Sequence, residues 1–445
     1  MSEADRPHAT SEADRPRTAQ EPRLRTRDRN RPRARLPVHV LLALPLALAG
    51  LIALLVTGNA LRPFDRVVTI EARMASKSDY FKDPEVQRLL LKHGLRVDIH
   101  RLGSRGIATQ SLTGMDAVFP SGQPAAKLIL DRQDRSVRSV RPFVTPLVLG
   151  TFRAYAETLE KMGVATAQPP AGGGRALYYD LDMDRFMGLL DGRIGTKDQA
   201  LTGDQDRDGV TERADTWNGI GFDGPGGRSN SGRVLVRTSS VCESNAAGAY
   251  LSILAFVANG DSTPGAGQAD ETKAMAEART VARKIKPLID LQGMWADEQA
   301  DSYLSDLGES IAPISLIYEH QYLAHQIAHE REHGEADTDR VLLYPTPYAL
   351  TEPQLISLSG EGDRLVRVIQ DDPELRRRAI ELGFRVRFSG EDGTSDQLNG
   401  YLDDHGIQVP RPNRDETKVY EPDLDVLEEI IDSVGTCPPA VRETP

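Results

Sequence analysis

An unbroken apolar segment near the start of the chain, Val38–Gly58, constrains the fold more than any other feature. Over its 21 residues the strongly polar side chains are His39 and Thr57, one near each end. At about 1.5 Å per helical residue the segment spans roughly 30 Å, the thickness of a bilayer's hydrocarbon core. Pro45 lies inside it, which membrane helices tolerate. We therefore expect a transmembrane helix over residues 37–58.

The charges that flank this segment predict its orientation. Residues 1–36 carry ten Arg against six Asp and Glu, and seven of these Arg lie between Arg23 and Arg35. Because basic flanks stay on the cytoplasmic side, we expect the N-terminus inside the cell and the body of the chain outside. Residues 1–36 lack apolar periodicity, which predicts a disordered cytoplasmic arm. The alternative is a cleaved signal peptide, with small residues at Gly58-Asn59-Ala60.

Composition narrows the possible partners and the redox state of the body. Subtracting residues 1–36 from the totals of 54 basic and 66 acidic residues leaves 44 and 60, so the net charge of residues 37–445 is −16. A body this acidic argues against a nucleic-acid partner, because phosphate would be repelled. Outside the cytoplasm the two cysteines, Cys242 and Cys437, either form one disulfide or remain as two free, buried thiols.

Strand-like and helix-like segments alternate after residue 66. Arg66–Ala72 and Leu95–His100 predict strands, and Asp83–His93 predicts a helix that ends at Gly94. Strand, turn and helix in this order predict an α/β fold with a mostly parallel sheet. Further strands are expected at Arg233–Arg237, Ala312–Tyr318 and Arg340–Tyr344, and helices at Ala246–Asn259, Asp270–Leu291, Asp363–Gln370 and Pro373–Leu382. Residues 390–445 are predicted to be a polar tail with one helical stretch.

Turns rich in Ser and Thr follow several predicted strands and precede helices. Ligands of open α/β sheets bind beyond the carboxyl ends of the strands, where helix N-termini offer unpaired N–H groups. Hydroxyls would add donors there, and Lys77 and Arg105 would add charge, so these turns are candidates for holding a small anion. Helix capping is the alternative role for each hydroxyl. The candidate ligand-binding residues are Ser76, Lys77, Ser78, Ser104, Arg105, Ser121, Ser239, Ser240, Ser244, Asn245 and Tyr318. If Glu319 also lines the site, the ligand would instead be polar or cationic.

The layout of residues 67–388 resembles that of extracytoplasmic solute-binding proteins that serve ATP-driven transporters. More narrowly, it is similar to the type II, two-lobed periplasmic-binding-protein-like clamshell. Ser76-Lys77-Ser78 resembles the Ser-rich first turn of that class, and Thr145–Leu149 and Tyr344–Pro347 resemble its two crossovers. The resemblance implies a discontinuous first lobe, residues 67–145 plus 345–388, and a second lobe at 150–340. It also implies capture of a small solute, such as an oxyanion, for an ABC-type transporter; a ligand-sensing or assembly module on the outer membrane face is the alternative.

An acidic segment at residues 204–215 has the spacing of a calcium loop. Carboxylates fall at positions 1, 3, 5, 9 and 12, with Gly209 at position 6, and the carbonyl at position 7 would complete the set. The candidate Ca²⁺ ligands are Asp204, Asp206, Asp208, Val210, Glu212 and Asp215. Asp215 replaces the usual bidentate Glu, and the alternative is an acidic solvated turn.

A row of histidines, His325, His329 and His333, is spaced so that all three share one face of a helix. Adjacent pairs could bind zinc, and a metal-dependent enzyme is therefore a second alternative function. Gln326 follows the first histidine where zinc proteases need Glu, and a solvated stripe is the other interpretation. No nucleophile elbow, P-loop or dinucleotide fingerprint is present in the sequence, so we expect a binding protein and not an enzyme.

Overall fold

The computed structural model describes residues 67–133, 136–190, 215–292, 299–386, 396–411, 418–435 and 437. The apolar segment at 38–58 and the candidate calcium ligands from 204 to 212 lie outside these residues. Among the helices within them, none combines the length and the apolar character that crossing a bilayer would need. The transmembrane helix therefore stays a prediction from the sequence.

Twelve strands and fifteen α-helices lie within the described ranges. The strands are β1 Val68–Met74, β2 Leu95–Arg101, β3 Ala117–Phe119, β4 Ser139–Val140, β5 Phe143–Phe152, β6 Ala165–Gln168, β7 Tyr178–Asp182, β8 Ile314–Tyr318, β9 Arg340–Thr346, β10 Leu350–Thr351, β11 Leu355–Ser357 and β12 Arg385–Val386. The helices are α1 Asp79–Lys82, α2 Pro84–Lys92, α3 Ser104–Thr109, α4 Gln123–Asp131, α5 Arg153–Lys161, α6 Met183–Leu190, α7 Asn245–Ala258, α8 Glu271–Gln292, α9 Gln299–Leu304, α10 Gly308–Ile311, α11 Glu319–His333, α12 Gly360–Asp371, α13 Pro373–Glu381, α14 Asp396–Asp404 and α15 Leu424–Gly435. This mixed α/β content confirms the predicted class.

The first sheet joins two distant stretches of the chain. β1 pairs in parallel with β2 on one side and β3 on the other. β11 then pairs antiparallel with β3 and with β4, which gives the order β2-β1-β3-β11-β4. Because β5–β10 of the second sheet lie between β4 and β11 in sequence, the chain leaves the first sheet after β4 and returns to it at β11. We call this sheet with α1–α4 and α12 the first half.

The second sheet is organised around β5, whose ten residues are all buried. β5 pairs antiparallel with β8, β9, β10 and β12, while β7 runs parallel to β9 and antiparallel to β6. The expectation of a mostly parallel sheet is therefore wrong, because outside β1–β3 only β7 and β9 among the described strands pair in parallel. A continuous apolar run is typical of parallel strands covered on both faces, but here antiparallel neighbours surround it. We call this sheet with α5–α11 the second half.

Local sequence signals set the bounds of the first helices. The Asp83 carboxylate accepts hydrogen bonds from the N–H groups of Glu85 (3.1 Å) and Val86 (3.0 Å), which caps α2. Pro84 occupies the first helical position, where its missing N–H costs nothing. Gly94 follows with φ of +66°, a left-handed conformation that ends the helix and that glycine adopts without strain.

Two expectations for the later chain are wrong. Arg233–Arg237 is not a strand: it makes only isolated bridges at its two ends, to Thr216 and Ser315, although its valines are buried. The alternation of the valines reflects this burial and not ladder pairing. The predicted tail has its one expected helix, α15, but it also contains α14 and is not polar throughout, because α15 packs against α8 through an apolar face. Of the two alternatives for the cysteines, the structure has the Cys242–Cys437 disulfide.

Candidate functional site

The turns that follow β1, β2 and β3 lie together at one edge of the first sheet. The Ser76 and Ser121 hydroxyl oxygens are 3.0 Å apart, and the N–H of Ser121 donates to the Ser104 hydroxyl at 2.9 Å. This arrangement follows from the parallel pairing, because the carboxyl ends of parallel strands meet at the same edge. Predicted site residues from three separate turns are therefore adjacent.

The second half closes over these turns at two glycines. A Cβ on Gly122 would lie 1.9 Å from the side-chain oxygen of Asn245, the first residue of α7. A Cβ on Gly103 would lie 2.1 Å from the carbonyl oxygen of Glu243. Such distances are possible only without a side chain, so the backbone of the first half contacts the α7 N-terminus directly.

Lys77 lies at the centre of this junction and is fully buried. Its Nζ is 3.2 Å from the centroid of the Tyr318 ring and 3.5 Å from the Ser121 carbonyl oxygen. No carboxylate among the described residues forms an ion pair with it; Asp79 and Glu421 act on its charge from farther away. Burial therefore lowers the pKa of the Lys77 amine well below its ordinary value.

Four further polar groups around Lys77 are buried with no hydrogen-bond partner among the described residues. They are Ser78 Oγ, Asn245 Nδ2, Tyr318 OH and His320 Nε2. The Tyr318 hydroxyl faces Ser76 and Asn245 without forming a hydrogen bond of acceptable geometry to either. We call Lys77 and these four residues the Lys77 cluster. Buried polar groups are nearly always paired in proteins, so this concentration marks the cluster as a candidate ligand site.

His320 forms the back of the Lys77 cluster and was not among the predicted site residues. Its Nδ1 is 3.2 Å from the Thr145 hydroxyl of β5, and its ring stacks on Phe384 at 4.0 Å between centroids. Burial, aided by the nearby Lys77, lowers the pKa of His320 well below its ordinary value. The position of His320 just past the end of β8 follows the same strand-end rule that identified Tyr318.

A cavity of about 930 Å³ opens beside the cluster, between the two halves. Ser104 and Asn245 line it, together with Arg105, Ser244 and Glu421. Its lining combines turns of the first half, the start of α7, the segment before α15 and α15 itself, which places the cavity between the two halves.

Several predicted site residues have partners outside the Lys77 cluster. Arg105 donates to Glu428 at 2.8 Å and to Asp432 at 2.9 Å, both on α15. The Ser244 hydroxyl caps α7 by accepting from Ala247 N–H at 3.4 Å, the capping alternative. Ser240 Oγ accepts from the backbone of the next turn, and Ser239 contributes its carbonyl to Thr238. The structure thus brings together Ser76, Lys77, Ser78, Ser104, Ser121, Asn245 and Tyr318, and it does not add Ser239 or Ser240 to them.

Glu421 is a cavity residue that the sequence did not indicate. Burial raises the pKa of its carboxyl to about 7, although Lys77 and Lys418 act in the opposite direction. Together with Asp79, it is one of two carboxyl groups that act on the charge of Lys77. No local pattern distinguishes Glu421 from the other acidic residues of the predicted tail.

Glu319 does not present a free charge to the cavity. It is fully buried and accepts two hydrogen bonds from Arg385, at 2.6 and 2.7 Å, and one from the Tyr344 hydroxyl at 2.7 Å. The repulsion that Glu319 would exert on an anion is therefore compensated by Arg385. This removes the reason for expecting a cationic ligand.

The predicted metal sites are only partly within the described residues. Asp215 accepts a hydrogen bond from Arg233 Nε at 2.8 Å, and the other candidate calcium ligands lie outside, so calcium binding stays a prediction. His325 Nε2 is 2.8 Å from Asp337, and the histidine row does not bring three ligand atoms together. Within the described ranges, three ligand atoms meet within 4.8 Å at Glu71, Asp98 and His100, which are half-buried or exposed.

Comparisons with known proteins give similarities of fold at very low identity. No protein-family model and no curated protein matches the sequence. An ABC transporter solute-binding protein from Agrobacterium vitis with bound D-mannitol is 10% identical, covering 84% of this chain and 94% of its own, with a TM-score of 0.41. The periplasmic binding protein AfuA from Actinobacillus pleuropneumoniae, with bound fructose-6-phosphate, is 9% identical over 84% and 99%, with a TM-score of 0.42. Iron-bound HitA from Pseudomonas aeruginosa is 12% identical over 83% and 99%, with a TM-score of 0.41.

Proposed function

We propose that this chain is a membrane-anchored, extracytoplasmic solute-binding protein that captures a small anion between its two halves and delivers it to an ABC-type transporter. The single observation that carries the proposal is the Lys77 cluster. A fully buried amine and four polar groups, for which the described part of the chain provides no ion-pair or hydrogen-bond partner, meet where the two halves close on each other. The clamshell arrangement, with two lobes that move about β5 and β9, belongs to the same proposal.

The chemistry of the cluster favours an anion with several oxygens. Lys77, Asn245 and the two hydroxyls are donors, and the N-terminus of α7 adds a partial positive charge and free N–H groups. An unpaired buried polar group costs about 1–3 kcal/mol, and an oxyanion would pair several of them at once. Its negative charge would also oppose the effect of burial and raise the pKa of the Lys77 amine.

Two features support an extracytoplasmic location. The Cys242–Cys437 disulfide persists in an oxidising compartment and is rare in the cytoplasm. The apolar segment at 38–58 and its Arg-rich N-terminal flank have the length and charge asymmetry of an anchor with the body outside. An anchored binding protein would be kept beside the transporter that it serves.

Calorimetric titration of the full-length protein tests the proposal. Phosphate, sulfate and molybdate are the probes, with neutral sugars for comparison. At least one anion should bind, and Lys77→Met should weaken its binding at least about tenfold, or 1.4 kcal/mol. Lys92→Met is the matched control, because Lys92 is exposed on α2 and pairs with Glu374 at 2.7 Å. Binding that is unaffected by Lys77→Met, or binding of sugars in preference to every anion, would contradict an anion site at Lys77.

A further inference from the structure

Residues 418–435 and Cys437 are the last described part of the chain, and we call them the C-terminal strap. Several residues of the strap line the cavity between the two halves. The strap begins against the segment after β9, where the N–H of Val419 donates to the Tyr348 carbonyl at 2.9 Å. It then places Glu421 in the cavity wall and continues as α15. The strap therefore forms one wall of the cavity that Asn245 of the Lys77 cluster also lines.

The strap is fastened to the two halves by different means. On the second half, the Cys242–Cys437 disulfide holds its end, Glu429 accepts from Arg279 at 2.7 Å, and Lys286 donates to the Val434 carbonyl at 2.8 Å. The apolar face of α15 also packs on α8 and α7. These covalent and apolar contacts keep the strap on the second half.

The attachment to the first half is weaker. Among the described residues, its polar contacts are the hydrogen bonds from Arg105 to Glu428 and Asp432, and the side chains of these two acids are 33% and 56% exposed. Ion pairs with this exposure typically contribute about 0.2–1 kcal/mol each. Separation of the two halves would therefore break the Arg105 contacts first and leave the strap on the second half.

We propose that the C-terminal strap is a gate over the Lys77 cluster, which opens when Glu428 and Asp432 release Arg105 and which stays tethered to the second half through Cys437. While the gate is closed, Glu421 supplies a negative charge beside Lys77, and an incoming anion displaces it. Once released, Arg105 is free to contact that anion, the role expected for it from the sequence. The physiological meaning of the gate rests on the proposed solute-binding function, but its mechanical test does not.

Chemical labelling of Lys77 in the full-length protein, without any solute, tests the gate. The double variant Glu428→Gln/Asp432→Asn removes both charges that hold Arg105. Acetylation by acetic anhydride, followed by peptide mass spectrometry, gives the labelling rate of Lys77. Loss of two ion pairs of this exposure should increase that rate about tenfold. Glu429→Gln is the matched control, because it makes the same chemical change on the same helix but removes a contact within the second half.

The test compares the Lys77 labelling rates of the wild type, the double variant and Glu429→Gln. A faster rate in the double variant alone supports the gate. Equal rates in all three overturn it, and so does an equal increase in both variants, since general loosening of α15 would then explain the labelling. If the double variant does not fold, Arg105→Gln removes the same contacts from the other side and should give the same increase. Failure of the anion titration would leave these rates unchanged, so the two proposals fail separately.

Discussion

Two buried charged groups, Glu319 and Lys77, lie close together in this protein. The consecutive residues Tyr318, Glu319 and His320, where β8 ends and α11 begins, contribute to the surroundings of both. In the first, Glu319 is bound by Arg385 and Tyr344, and both carboxylate oxygens are used. In the second, Tyr318 and His320 lie beside Lys77, and within the described residues their buried polar atoms have no hydrogen-bond partner and no opposite charge is in contact with the amine.

The difference separates a structural centre from a candidate binding centre. A buried ion pair with complete hydrogen bonding holds its surroundings together, and loss of one partner leaves an uncompensated charge. A buried charge without partners stabilises nothing by itself and has a cost that only a ligand can relieve. The same type of substitution in the two centres should therefore have opposite consequences for stability and for binding.

The largest expected difference is between Arg385→Met and Lys77→Met. Arg385→Met leaves Glu319 buried without its cation and should lower the free energy of unfolding by about 3–5 kcal/mol. Lys77→Met removes an amine that is costly to bury, and it should be neutral or stabilising by about 1 kcal/mol. Urea denaturation of both variants measures this difference. A large loss of stability in Lys77→Met would show that Lys77 has a structural role and would remove the contrast.

A smaller difference in the free energy of unfolding is expected between Tyr344→Phe and Tyr318→Phe. Tyr344→Phe deletes a hydrogen bond to a charged group and should cost about 1.5–3 kcal/mol. Tyr318→Phe deletes a hydroxyl that has no partner and should cost nothing or give a small gain. Both variants keep the aromatic ring, so the same denaturation experiment isolates the hydroxyl. Equal losses would show that the Tyr318 hydroxyl is paired in solution.

The smallest effect is a pH dependence of stability at Glu421. Its pKa of about 7 lies above the ordinary value of 4.5, so between these values the folded protein binds more protons than the unfolded chain. The contribution of Glu421 to the free energy of unfolding is therefore fully present at low pH. It declines as the pH rises through this window and stays constant above it. Lys77, Lys418 and Glu352 are the charged groups that act on Glu421. The melting temperature of Glu421→Gln, relative to wild type, should rise between about pH 4.5 and 7 and then level off; a constant difference would contradict this.

Much of the local fold could be predicted because the signals are local. Asp83, Pro84 and Gly94 mark the ends of α2 through capping and backbone geometry that each residue determines alone. The partners of β5 could not be predicted, because a fully apolar strand carries no mark of which neighbours will cover it. The strand prediction for Arg233–Arg237 is wrong for a related reason, since side chains can be buried alternately without the segment pairing with a neighbouring strand.

The same limit applies to the candidate site. Ser76, Ser104 and Ser121 were predicted together because parallel strands end at one edge of a sheet. The partners of Arg105 lie 323 and 327 residues further along the chain, on a helix whose position only tertiary packing determines. Glu421 was missed for this reason, because its importance comes from its place in the cavity and not from its neighbours in sequence.

At Gly103 and Gly122 the two halves of the protein are in such close contact that backbone or side-chain atoms of the opposing half occupy the place of a side chain. A methyl group added at Gly103 would meet the backbone carbonyl of Glu243, which cannot rotate away, and would keep the two halves apart. At Gly122 it would meet the end of the Asn245 side chain, which can move aside at a smaller cost. Complete closure therefore depends most on the absence of a side chain at Gly103, and Gly103→Ala should favour a form in which the two halves do not close fully.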